Sequence, residues 1–258
     1  GSPEHDREII AAVEEYNVEA SILKVWGSEA LWLAADEAVQ IHGGYGFVEE
    51  FPIERVYRDN RVNRIFEGTN EINRMLIPGT ILKRAMKGQF PLFELAQTVS
   101  RAVARGELPE VGPGPLAREA RMAELTKYLA VYATRVAVEA FGPGLTDRQE
   151  VLAAIADVIM EAFAIDSAVA RARQAARDGV VDPVAEACVR LYALEGHERA
   201  HAQARKALRA TVTDPSSCRE HLAVVRRLLD EEPVDVTALR EAIVGPTLEA
   251  GKYPLAWG

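Results

Sequence analysis

The chain has 258 residues, 48% of them hydrophobic and 27% charged, a balance that supports a packed core and argues against intrinsic disorder. A formal charge of -9 without a basic block makes nucleic acid a poor partner, because an acidic surface gains nothing from counterion release. No apolar run approaches the roughly 18 residues that span a membrane, and Cys188 and Cys218 are too far apart to suggest a metal pair or disulfide framework, which points to a reducing, cytoplasmic setting.

The chain opens with Gly1-Ser2, which reads as a cloning scar, and its first methionine is Met75, so it is expected to be a piece of a longer protein. Residues 7–38 predict one long helix, with Ile9, Val13, Tyr16, Val18, Ile22, Val25 and Leu33 at helical spacing and Trp26 and Trp32 expected in its core. The glycines of "HGGYGF", 42–47, end it. Pro52 marks the start of a short helix. A further helix follows "EGTNEI", capped by Thr69 or Asn70, with Pro78-Gly79 expected to kink or interrupt it. Residues 90–105 form a shorter amphipathic helix, and "GELPEVGPGPL", 106–116, is the linker candidate.

Three long helical patterns come next. The first carries the seam Met122, Leu125, Leu129, Tyr132 and Val136; the second carries Val151, Ile155, Val158, Ala162, Ile165 and Val169; the third runs over 183–212 up to Asp214-Pro215. Short turns between them favour antiparallel neighbours. Two shorter helices, about 217–231 and 235–244, precede the "YPLAWG" tail. The fold class expected is all-α. Its parts are 3–105, the 106–116 linker and a helical bundle over 117–258.

Two motifs compete for function. "HERAH" matches the H-E-x-x-H pattern, in which His197 and His201 would ligate zinc on one helix face while Glu198 activates water. No third ligand is evident, and both histidines continue the apolar stripe of Leu191, Leu194, Ala204 and Leu208, so a hydrogen-bonded pair on the bundle seam is the stronger reading and no metal is expected. In "RIFEGTNEIN", Glu67 follows two large apolar residues and precedes a glycine and a threonine, the setting of a tuned base. A carboxylate interacting with backbone N–H groups at a helix entry is the alternative.

The ordered set in residues 38–74 decides between them: "QIHGGYGF", Tyr57-Arg58-Asp59 and "EGTNEI" together resemble the C-terminal signature of the flavin-dependent acyl-CoA dehydrogenases. The helical continuation resembles the very-long-chain branch, which carries an extra C-terminal helical domain. The resemblance implies that Glu67 takes the α-proton of an acyl-CoA while FAD takes the β-hydride, giving a trans-2-enoyl-CoA. It implies that the backbone N–H of Glu67 and a flavin hydroxyl polarise the thioester carbonyl. Ile65 and Phe66 would form a dry wall, and Gly68 would admit substrate.

Flavin contacts would fall to Gln40, Ile41, His42, Gly43 and Gly44, and to Thr69, Asn70 and Glu71. At Glu71 many family members carry glutamine. Arg58 and Asp59 would hold the turn by ion pairing. The resemblance further implies a homodimer, in which the glycine loop reaches the neighbour's flavin, and an electron-transfer flavoprotein as acceptor. The family's earlier domains build most of the flavin cradle, so this chain is expected to be inactive by itself. The alternative is that the helical extension serves dimerisation or membrane-surface association without chemistry of its own. Its mixed charges, with no strongly basic face, argue against a membrane surface.

Overall fold

The computed structural model describes residues 3–255; Gly1 and Ser2, and with them the reading of a cloning scar, lie outside the described residues, as does the end of the tail from residue 256. Among the described residues there are ten α-helices and no strand, in agreement with the all-α expectation. They are α1 (Pro3–Glu15), α2 (Asn17–His42), α3 (Ile53–Arg61), α4 (Asn70–Met86), α5 (Leu92–Arg105), α6 (Ala117–Phe141), α7 (Gln149–Arg177), α8 (Pro183–Thr211), α9 (Pro215–Arg227) and α10 (Val236–Ala250). No helix is long and apolar enough to cross a membrane among the described residues.

The helices form two compact units that divide between Phe90 and Pro91. In the first, α2 packs against α3 and α4. The long helix expected over 7–38 is two helices, because Tyr16 leaves helical geometry at φ -94 and ψ 14. Val18, Ile22 and Val25 of α2 are buried, whereas Ile9, Val13, Tyr16 and Leu33 are exposed, so only part of the apolar stripe finds a partner. The tryptophans differ from expectation in the same way. Trp26 is 40% exposed, and half-buried Trp32 packs on the surface of α3, its ring 4.4 Å from that of Tyr57.

Pro52 precedes α3 as expected. Thr69 is the cap of α4, its hydroxyl accepting from the N–H of Ile72 at 3.2 Å. Pro78 does not interrupt α4, which runs through it to Met86. The proline is buried, so packing offsets the lost backbone hydrogen bond.

The second unit is built on α6, α7 and α8. Their short connections return each helix along its predecessor. Every seam residue named above on α6 and α7 is buried. One core cluster joins Leu125, Leu129 and Tyr132 to Val158, Ala204 and Leu208 and takes in Val99 and Val103 of α5. A second gathers Leu116, Met122, Ile165, Val169, Val189 and Ala193. Thus α5 belongs with the second unit, where the sequence reading had it before the linker. Its apolar stripe has its partners in α6 and α9, and the 106–116 segment is a connection inside that unit. Asp182, Asp214 and Asp235 cap α8, α9 and α10 through backbone N–H groups, which fixes where each begins.

Candidate active site

Glu67 and Gly68 form the turn that leads into α4. Glu67 has φ 54 and Gly68 φ 76. For an L-residue the left-handed region costs about 1–2 kcal/mol, so Glu67 is held there against its own preference, whereas Gly68 adopts it without strain. A Cβ on Gly68 would also come within 3.2 Å of the Asn73 amide nitrogen. That nitrogen donates to the Gly68 carbonyl at 2.8 Å, so a side chain there would push away the donor that anchors the turn.

A second donor reaches the same carbonyl from α2: Lys24 Nζ, also at 2.8 Å. Lys24 donates as well to Asn70 Oδ1 at 2.7 Å. Asn70 is fully buried, and its amide nitrogen donates to Ser28 Oγ at 2.9 Å and to Glu29 Oε1 at 3.1 Å. Glu29 in turn takes a bidentate pair from Arg74, at 2.7 and 2.8 Å. Burial opposes the charged form of Glu29, yet the hydrogen bond and charge of Arg74, with Asn70 and Arg64 adding, hold its carboxyl below the usual range. Lys24, Ser28, Glu29, Asn73 and Arg74 were not singled out in the sequence. Their signal is the helical spacing of Lys24 and Ser28 and of Asn70, Asn73 and Arg74, which makes a polar face on each of two otherwise mixed helices.

The other expected site residues fall into three groups. Gln40, Ile41, His42, Gly43 and Gly44 are all exposed at the end of α2, Ile41 to 82%. Nothing lies within 4 Å of where a Cβ on Gly43 or Gly44 would stand, and Gly43 has φ 58. The loop therefore offers bare backbone that a large flat ligand can approach. Gly46 is different: a Cβ there would collide with the Val39 carbonyl, so this glycine serves the turn itself.

Half-buried Thr69 and exposed Glu71 sit at the start of α4. Glu71 is held below the usual carboxylate range by its own backbone N–H and by the Thr69 hydroxyl, as a carboxylate over a helix start should be. Asn70 departs from the expected role. Its side chain is consumed by Lys24, Ser28 and Glu29, which leaves none of it for a cofactor.

Around Glu67 the dry wall expected of Ile65 and Phe66 is not closed within this chain, since they are 52% and 45% exposed. Glu67 is itself exposed, and among the described residues its carboxylate has no hydrogen-bond or ion-pair partner. Arg58 and Asp59 do form ion pairs, but along α3 with Glu54 at 3.8 Å and Arg55 at 3.6 Å rather than across the turn. The Arg55–Asp59 pair is exposed and Arg58 is exposed in the other, so both contribute little stability.

In the second unit, the H-E-x-x-H motif does not make a metal site. His197 and His201 face inward while Glu198 is exposed, and no group of three or more candidate ligands exists among the described residues. The Thr126 hydroxyl donates to the Met122 carbonyl at 2.7 Å, so the His197 Nδ1–H donates to Thr126 at 2.8 Å. His197 Nε2 then accepts from the N–H of Asp230 at 3.2 Å. Both ring nitrogens of His197 are satisfied by protein in the neutral form, so this ring has no lone pair for zinc, while His201 Nε2 is buried without a hydrogen-bond partner.

The family description "Acyl-CoA dehydrogenase, C-terminal domain" matches the chain twice, over residues 6–82 and 125–227. The chain is 37% identical to a probable acyl-CoA dehydrogenase of Bacillus subtilis (strain 168) over 249 residues, 96% of this chain and 42% of the relative. A crystal structure of an acyl-CoA dehydrogenase complexed with FAD, from Bacillus anthracis, superimposes with a TM-score of 0.89 at 36% identity, over 95% of this chain and 41% of that one. The chain belongs to the acyl-CoA dehydrogenase family.

It spans about two-fifths of the length of these two relatives. The rat very long-chain specific mitochondrial acyl-CoA dehydrogenase is 52% identical, but over only 64 residues, 25% of this chain and 10% of that protein. The Bacillus subtilis relative aligns with 96% of this chain, and so with the bundle after residue 116 as well.

Proposed function

We propose that this chain supplies the base-bearing helical part of an FAD-dependent acyl-CoA dehydrogenase, with Glu67 as the base. The observation that carries this reading is the Glu67–Gly68 turn. A non-glycine residue is kept at φ 54, its carboxylate exposed and unpartnered among the described residues, by a network that holds the adjoining carbonyl from two helices. Strain of this kind gathers where a side chain must point in one direction.

In the reaction, the Glu67 carboxylate removes the α-proton of the acyl-CoA thioester, and the N–H of Glu67 donates to the thioester carbonyl as charge develops there. Gly68, without a side chain, leaves room for the acyl chain beside that donor. FAD, when bound, would supply the acceptor for the β-hydride that leaves as the Cα–Cβ double bond forms. The open backbone of Gly43 and Gly44, with exposed Gln40, Ile41 and His42, suits one wall of a flavin site, and Thr69 and Glu71 suit a second. By this reading the two walls serve different flavins in a homodimer, and electrons leave to an electron-transfer flavoprotein. The chain alone is inactive, because Ile65 and Phe66 do not close the site around Glu67.

The test joins this chain to the part of the Bacillus subtilis relative that precedes their alignment. Acyl-CoA-dependent reduction of a dye is then measured with and without Glu67→Gln. A loss of kcat of about 10³-fold, the size of a general-base contribution, with the flavin absorbance retained, is the expected result. Turnover unchanged by Glu67→Gln would remove the assignment.

A further inference from the structure

Two kinds of tie meet at the start of α4, and they do different work. Glu29 and Arg74, at 2.7 and 2.8 Å, bind helix to helix. Lys24 ties α2 to the turn as well as to the first residue of α4: its ammonium spends one bond, of 2.8 Å, on the Gly68 carbonyl and another, of 2.7 Å, on Asn70. Asn70 is fully buried and relays that ammonium to Glu29, donating to its carboxylate at 3.1 Å. A fixed anion thus orients an amide, the amide orients a cation, and the cation holds a carbonyl one residue from Glu67.

We infer that Lys24 is a positioning residue for Glu67. By holding the Gly68 carbonyl together with Asn73, it fixes the peptide plane that follows Glu67 and keeps that residue at positive φ. The direction of the Glu67 carboxylate and of its N–H is then set from α2, before any ligand arrives. Asn73 by itself cannot do this from outside the helix: it bonds to the same carbonyl from within α4, and also to the Thr69 carbonyl at 3.1 Å, so it moves with the turn. Only the α2 donor refers the turn to a second element. The catalytic consequence rests on the proposed role of Glu67; the structural claim does not.

The experiment uses the purified 258-residue chain and needs no cofactor. Backbone 15N order parameters are measured for Glu67 and Gly68 and, as reference, through α2 and α4. Order parameters near 0.85 mark rigid backbone and values below about 0.6 flexible backbone. Lys24→Met is expected to drop Glu67 and Gly68 from the first range to the second while α2 and α4 stay rigid, and Lys24→Arg is expected to restore the turn. Glu29→Gln, which cuts the tie between the helices, is expected to loosen α2 and α4 as well. An unchanged turn in Lys24→Met, or a loss spread evenly over both helices, overturns the inference.

Should Lys24→Met not fold, Lys24→Gln is read by the same criteria. In the chimeric enzyme, Lys24→Met should lower kcat roughly 10- to 100-fold, the scale of a small misplacement, with KM unchanged and Lys24→Arg restoring it. A chimera inactive even without substitution would count against the functional reading alone, because the order parameters test the positioning claim without turnover.

Discussion

At the scale of single residues, the chain holds Glu67 at φ 54, a conformation it does not prefer. Replacing it with glycine removes the strain of about 1–2 kcal/mol and adds back the extra unfolded-state freedom of glycine, about 0.5–1 kcal/mol. Glu67→Gly should therefore raise the unfolding free energy by up to about 1.5 kcal/mol, measured by urea titration, even as it deletes the proposed base. An ordinary Glu→Gly change in a helix would lower it by a similar amount. Stability lost on this substitution would mean that the turn carries no strain. Glu67 itself was legible in the letters around it, whereas the residues that hold it were not. Lys24 lies 44 positions from Gly68, and nothing local to either says that they meet.

At the scale of elements, α8 carries two histidines into the core. Burial, with each other's proximity adding for His197 and Arg205 opposing the charged form of His201, takes both from 6.5 to about 4. Both are neutral in the folded chain, while the unfolded chain protonates them below pH 6.5. The unfolded state therefore binds more protons between pH 6.5 and 4, and stability falls as pH falls through that window. The loss reaches on the order of 3 kcal/mol for each ring by pH 4. Urea midpoints at pH 7.5, 6 and 4.5 check it: the decline should begin near pH 6.5, above the range of the carboxylates. A midpoint flat from pH 7.5 to 5 would mean that the rings find water or a counter-charge when protonated. The stripe of apolar neighbours around His197 and His201 had already favoured this seam position over a zinc site, and the outward-facing Glu198 agrees with it.

At the scale of the whole molecule, the division between Phe90 and Pro91 differs from the division at 106–116 that glycine and proline content suggested. Composition marks where a chain turns, but which side of the turn a helix packs on depends on its partners. Val99 and Val103 of α5 are 4% and 1% exposed, in one cluster with Leu129 and Leu228. Residues 91–258 should thus unfold in one cooperative thermal transition followed by circular dichroism, and residues 117–258 should melt lower and more broadly because a core face is uncovered. Equal melting of the two pieces would place α5 outside the core. Many large apolar residues of the first unit stay exposed, among them Ile41, Phe47 and Met86 at more than 80%, a surface of the kind that binds further protein.

The sequence by itself determined the family and most of the elements, though not the break at Tyr16. Helical periodicity is local, caps such as Thr69 and Asp182 act within three residues, and a signature ordered over 38–74 needs no coordinates to be read. Only the tertiary structure decided which faces of those helices are buried, because an apolar stripe states a need for a partner without naming one. That is why Trp26 and Ile9 are exposed while Val25 is buried. It likewise decided that Asn70, which the signature offers as a cofactor contact, is instead the buried link between Lys24 and Glu29. A side chain's hydrogen-bond partners depend on distance in space, and three helical residues 41 to 46 positions away cannot be chosen from spacing alone.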